Sequence, residues 1–128
     1  MPHNPARLKV VARAFGLGLA VHRMADRCAR EISRVSPGMR SQMLRAVDSI
    51  ALNITEATAH EAPTRVAAQL MIAIGSCNEL EIQLKLGDAL GVLGTASRPL
   101  ITEVQEVRMM LYGFRKRILA GSPTRRVQ

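Results

Sequence analysis

Val66-Ala67-Ala68-Gln69-Leu70-Met71-Ile72-Ala73-Ile74-Gly75-Ser76-Cys77-Asn78-Glu79-Leu80-Glu81-Ile82-Gln83-Leu84 is the stretch that decides the fold. Val66, Leu70, Ala73, Cys77, Leu80 and Leu84 follow one another at steps of four and three, which lines them along one face of an α-helix. Met71, Ile74 and Ile82 widen that face, so this helix is expected to be the most buried of the chain. Pro63 suits its first turn, and Gly87, Gly91 and Gly94 end it. The same spacing recurs on both sides. Upstream, Met43, Val47, Ile50, Ile54 and Ala57 form one stripe, and Val21, Ala25, Cys28, Ile32 and Val35 another. Downstream, Leu100, Val104, Val107, Leu111, Phe114 and Ile118 form the last, with Thr95 or Ser97 as its cap. Ser36-Pro37-Gly38 and Ala62-Pro63-Thr64 separate the stripes, and no strand-type alternation occurs anywhere.

These signals predict an all-α fold: one domain over residues 1–128, an antiparallel up-down-up-down four-helix bundle. Its helices are expected at about residues 7–35, 39–60, 63–87 and 97–120, with frayed tails at 1–6 and 121–128. A length of 128 residues provides one core, and 48% hydrophobic with 22% charged residues excludes wholesale disorder. Aromatics make up 2% (Phe15, Tyr112, Phe114), so the core must be aliphatic. Cys28 and Cys77 lie at core steps without a CxxC or a nearby His, which reads as two buried thiols in a reducing compartment. The longest uncharged apolar run, Ala14 to Val21, is far short of the roughly 20 residues a membrane span needs. Together these point to a cytoplasmic protein with no membrane association.

Charge carries the functional reading. Eighteen Lys and Arg against ten Asp and Glu give +8, and fifteen of the eighteen cations are Arg, the better fork for phosphate oxygens. Residues 1–36 and 95–128 each carry net +5, while 37–60 balance and 61–94 are net −2. First and last helices are neighbours in such a bundle, so the basic segments meet. Arg23, Arg27, Arg30 and Arg34 step by four, three and four, each two residues past a core position. They form an exposed stripe about 16 Å long at 1.5 Å per residue. Arg108 and Arg115 join it if the helices pack as neighbours. The stripe is either a solvated face or a polyanion-binding face; the scarcity of nearby acids favours nucleic acid.

Chemistry is sparse. Gly16-Leu17-Gly18 lacks the third glycine of a nucleotide loop, and no HExxH, GxSxG or metal-ligand set is present. His3, His22 and His60 are isolated. The expectation is a protein without catalytic residues, metal or cofactor. Ser49, Asn53 and Glu56 recur at helical spacing, as do Ser76, Glu79 and Gln83. They are a solvated face, or a polar seam at an oligomer interface or between the second and third helices.

Two stretches resemble signatures of a known family. Ser41-Gln42-Met43-Leu44-Arg45-Ala46-Val47-Asp48-Ser49-Ile50-Ala51-Leu52-Asn53-Ile54-Thr55-Glu56 is similar to SQ-hydrophobic-x-RA-x-x-SI-x-x-NI-x-E. Gly75-Ser76-Cys77-Asn78-Glu79-Leu80-Glu81-Ile82-Gln83-Leu84 is similar to GS-x-x-ELE-x-QL. Both belong to the four-helix-bundle proteins encoded in intervening sequences of bacterial 23S ribosomal RNA genes, a family related to the accessory variability determinant of diversity-generating retroelements. The resemblance covers about residues 8–120. It implies a non-enzymatic bundle assembled as a homopentamer, and a retroelement relative that binds nucleic acid and its reverse transcriptase through a basic surface. Ala51 and Ala57 replace the family's usual Pro and Gly, which implies a straighter second helix, and the usual Trp near the start is missing.

Three readings follow. The first is a basic homo-oligomer that holds structured RNA by its phosphates; with few aromatics to stack bases, it would read shape and backbone. The second is an accessory subunit of a reverse transcriptase, and the third a purely structural oligomer.

Overall fold

The computed structural model describes residues 5–121. It contains α1 (Pro5–Arg27), α2 (Ala29–Val35), α3 (Met39–Ala57), α4 (Pro63–Ala89) and α5 (Ser97–Ala120), with a short 3-10 turn, Gly94–Ala96, ahead of α5. Among the described residues no strand occurs and no helix is long and apolar enough to cross a membrane.

The expected first helix is two helices. At Cys28 the backbone turns to φ −99°, ψ 10°, which leaves the helical basin. The hydrogen-bond ladder still crosses the bend, from Cys28 N to Met24 O at 2.9 Å and from Ile32 N to Cys28 O at 2.9 Å. The bend also corrects two core assignments. Cys28 is only half-buried and Val35 is exposed, whereas Cys77 is fully buried. Burial pushes the Cys77 thiol up to about 12, so it stays protonated and inert. The core stripe of α1 begins earlier than the spacing around Val21 suggested: Val10, Ala14 and Leu17 are all buried.

α3, α4 and α5 follow the expected stripes, with Met43, Val47, Ile50, Leu70, Leu80, Leu84, Val104 and Phe114 among the buried side chains. α3 runs unbroken through Ala51, as expected with Ala in place of Pro. Packing partners fix the topology. His22 meets Asp48, Asn53 meets Gln69, Gln42 meets Gln83, Glu81 meets Gln105, and Arg13 meets Glu103. Each pair joins helices that run in opposite directions. α1, α3, α4 and α5 thus stand at four corners in the cyclic order of the chain, with α5 closing against α1.

The α4–α5 turn is closed by local chemistry. Leu90 caps α4 and Gly91 follows at φ +71°, with Val92 N bonded to Gly87 O and Gly91 N to Asp88 O. This is the Schellman arrangement, and it tucks Val92 and Leu93 into the core. Neither Thr95 nor Ser97 caps α5; the buried Ser97 hydroxyl instead donates to Asp88 Oδ1 at 2.7 Å, tying the start of α5 to the end of α4. Gly91→Ala forces a β-carbon into the left-handed region. It is expected to cost about 1 kcal/mol and to lower the melting temperature by about 4 °C, measured by thermal unfolding.

Candidate nucleic-acid interface and the groove beside α3

Arg23 and Arg27 stand on the last turns of α1, and Arg30 and Arg34 on α2; all four are exposed. Their continuity across the bend follows from the ladder retained at Cys28. Arg34 bonds Glu31 at 2.6 Å, three residues away. Asp26, the other nearby acid, is drawn to Arg40 at 4.0 Å. Among the described residues, Arg23, Arg27 and Arg30 have no carboxylate on them.

Arg108 and Arg115 do not join this stripe. α5 is a neighbour of α1, yet both side chains turn to α4: Arg108 pairs with Glu81 and bonds Asn78 at 3.0 Å, and Arg115 donates to Ala67 O at 3.2 Å. They are also at the wrong height. Arg13 lies level with Glu103 and Glu106. Because α1 and α5 run oppositely, Arg108 is level with about residue 9, some 20 Å along the axis from Arg23. Arg98, exposed on the first turn of α5, is the cation of that helix that comes level with the top of α1. Helical spacing makes α1 and α5 neighbours but does not fix the antiparallel register between them.

Arg13 and Arg108 are neutralised by carboxylates within the bundle. Arg13 grips Glu103 at 2.7 Å and Glu106 at 2.5 Å, which raises its own pKa and lowers that of Glu103. Glu81 is held at about 2, chiefly by the Arg108 guanidinium and then by the Gln105 amide. Sequence reading missed Glu81. The available signal was its place four residues after Cys77 and three before Leu84, on the rim of the core stripe.

The polar residues of α3 and α4 meet between those helices. The Ser49 and Ser76 hydroxyls are 2.7 Å apart, and Asn53 Nδ2 donates to Ser49 at 2.8 Å. Gln69 Nε2 donates to Asn53 Oδ1 at 2.7 Å and to Glu56 Oε2 at 3.1 Å, and Gln83 Nε2 to Gln42 Oε1 at 2.7 Å. Glu79 stands exposed on the lip. Gln42 and Gln69, not singled out from the sequence, complete the ladder. Along it runs an open groove of about 1190 Å³ with Ser49 and Ser76 in its floor and Arg45, Ile72, Glu79 and Ile82 on its lips. Both signature stretches line it. On the other side of α3, Phe15 and Leu19 of α1 and Leu52 of α3 border a smaller groove of about 320 Å³, with the His22–Asp48 pair, 2.7 Å, at its edge.

Among solved structures, a protein of unknown function from the S23 ribosomal protein family of Bacteroides thetaiotaomicron VPI-5482 superposes with a TM-score of 0.71. The match covers 87% of this chain and 98% of that one at 20% identity, a likeness of fold alone. No curated protein matches the chain. The sequence model described as 23S rRNA-intervening sequence protein matches residues 6–113, which runs from the first turn of α1 into α5 and takes in both signatures. The chain belongs to the 23S rRNA-intervening sequence protein family.

Proposed function

We propose that this chain is a non-enzymatic, cytoplasmic, self-assembling binding module that holds structured RNA through its phosphates. One observation carries the reading. Arg13 and Arg108 are spent on Glu103, Glu106 and Glu81, whereas Arg23, Arg27 and Arg30 share one exposed edge with no carboxylate on them among the described residues. Guanidinium groups left in a row at one-turn spacing suit phosphate oxygens, and repetition around an oligomer multiplies weak contacts. The family's name adds a ribosomal RNA context without specifying a ligand. Phe15 and Tyr112, the exposed aromatics, lie on α1 and α5 rather than together, so a base-stacking platform has no support.

The test is the Arg27→Gln/Arg30→Gln variant, titrated with a labelled RNA hairpin over a range of salt concentrations by fluorescence anisotropy. Each phosphate contact contributes about −0.9 to the slope of log affinity against log salt on a duplex, so the slope should flatten by roughly two units per engaged face. Unrelated hairpins should be weakened alike. Unchanged affinity and slope would reduce the stripe to a solvated face. A folded variant that has come apart into monomers would favour the structural-oligomer reading. Retained binding to a reverse transcriptase with none to RNA alone would favour the accessory-subunit reading.

A further inference from the structure

We propose that the face shared by α1 and α5 is a two-ended site for double-stranded RNA, with Arg23, Arg27 and Arg98 on one backbone and Lys9, Lys116 and Arg117 on the other. The inference rests on the RNA-binding reading above and deepens it, by naming the form of RNA and adding a second set of contacts.

Lys9 lies fourteen residues before Arg23 and eighteen before Arg27 on α1. At about 100° and 1.5 Å per residue, all three share the side of α1 turned from α3, with about 21 Å between Lys9 and Arg23 along the axis. α5 repeats the pattern in reverse. Arg98 stands toward the end that carries Arg23, and Lys116 and Arg117 toward the end that carries Lys9. Lys9 and Arg117 line one groove of about 350 Å³ between the two helices. The Arg117 guanidinium lies across Gly113 in that groove, its Nη1 4.0 Å from where a β-carbon would stand. Lys9, Lys116 and Arg117 are exposed, and among the described residues no carboxylate pairs with them.

The pattern of charge selects a duplex. Between the two cationic ends stands the clasp of Arg13 with Glu103 and Glu106, two carboxylates against one guanidinium. A single strand laid from end to end would press its evenly spaced phosphates onto those carboxylates. A duplex avoids this, because its charge runs in two ridges with a groove between them. Ends about 21 Å apart are too far for the ridges beside a B-form minor groove, about 6 Å wide, and suit those of a wide groove. A-form RNA offers one, shallow and bordered by 2′-hydroxyls. Glu106 is placed to meet them: its side chain is 54% exposed, and its Oε1 accepts no hydrogen bond among the described residues. A 2′-hydroxyl that donates to Glu106 turns a repulsive midpoint into the contact that separates RNA from DNA.

The test follows three labelled probes by fluorescence anisotropy across salt: an RNA duplex of about 16 base pairs, a DNA duplex of the same sequence, and one RNA strand alone. The full chain should hold the RNA duplex about tenfold more tightly than the DNA duplex, the worth of one hydrogen bond to a charged acceptor, and more tightly than the single strand. Lys9→Gln/Arg117→Gln and Arg23→Gln/Arg27→Gln should each flatten the salt slope for the RNA duplex by roughly two units, and all four changes together by roughly four. Glu106→Ala leaves Arg13 its Glu103 partner, and should strengthen DNA binding while shrinking the preference for RNA. Circular dichroism checks that each variant stays helical; should a charge variant misfold, the RNA-to-DNA ratio of Glu106→Ala decides the point. A Lys9→Gln/Arg117→Gln variant that binds the duplex like the parent, while Arg27→Gln/Arg30→Gln is weakened, would overturn the two-ended site and leave RNA binding by the stripe standing. Equal affinity for the RNA duplex and either of the other probes would overturn the choice of ligand. Binding to phosphatidylserine vesicles with none to the duplex would give the face to a lipid surface. A parent that binds no RNA at all would end the RNA-binding reading along with this one.

Discussion

Glu81→Gln is expected to cost about 3 kcal/mol and to lower the melting temperature by roughly 10 °C at neutral pH. Glu81 is 9% exposed and accepts from Arg108, from Gln105 Nε2 at 2.8 Å and from Lys85 at 3.0 Å. The variant keeps the shape and removes the charge, leaving the three-quarters-buried Arg108 without its counterion beneath α5. The pH dependence follows from the same group. Its folded value of about 2 lies below the ordinary 4.5, so the folded state prefers the ionised form. The contribution is therefore complete above the ordinary value and disappears as pH falls from about 4.5 to 2, an interval equivalent to about 3 kcal/mol at most. Thermal unfolding of parent and variant across that range should show the gap closing on the acid side. A gap that stays constant with pH would mean that the loss comes from packing and not from the ion pair.

Gly87→Val is expected to cost a similar amount, about 3 kcal/mol, for a steric reason. Gly87 lies inside α4, three residues before its cap, and a β-carbon there would stand 2.6 Å from Leu93 Cγ and closer still to Cδ1. Leu93 is 1% exposed and is pinned by the turn that Gly91 and Val92 close, so it has little room to give. Even Gly87→Ala should lose more by the clash than the roughly 1 kcal/mol that Ala adds to a helix interior. A double-mutant cycle isolates the effect: in a Leu93→Ala background, Gly87→Ala should become neutral or stabilising, a coupling of about 1–3 kcal/mol. Equal effects in both backgrounds would refute the close approach.

Spacing made the helices legible. A stripe such as Val66-Leu70-Ala73-Cys77-Leu80-Leu84 is one-dimensional information, and burial on one face is all it needs. In sequence, Gly87 carries the signal of a helix end, because a glycine that stops a helix and one that admits a neighbour's side chain look alike. The bend at Cys28 was illegible for a related reason: core spacing continued through it, without the Pro that announces most breaks. Of the candidate site, the exposure of Arg23, Arg27, Arg30 and Arg34 could be read, since it depends only on local helical position, which the retained ladder carries across the bend. The placement of Arg108 and Arg115 could not, since it depends on the vertical register between α1 and α5 and on which acids α4 offers. The polar residues of α3 and α4 were legible as a set, but their Gln42 and Gln69 partners emerge only when the helices are set side by side.

The bend at Cys28 has a dynamic consequence. α2 has seven residues, too few to persist as a helix alone, and Ile32 is its one buried side chain. Its amides are expected to exchange with solvent through local opening, at a free energy well below that of the bundle and insensitive to mild denaturant, while those of α4 follow global unfolding. Native-state hydrogen exchange would separate the two. Arg30 and Arg34 ride on α2, while Arg23 and Arg27 are rooted in α1. Two cations of the stripe are thus carried by α1 and two by α2, so local opening of α2 would change the spacing between the pairs.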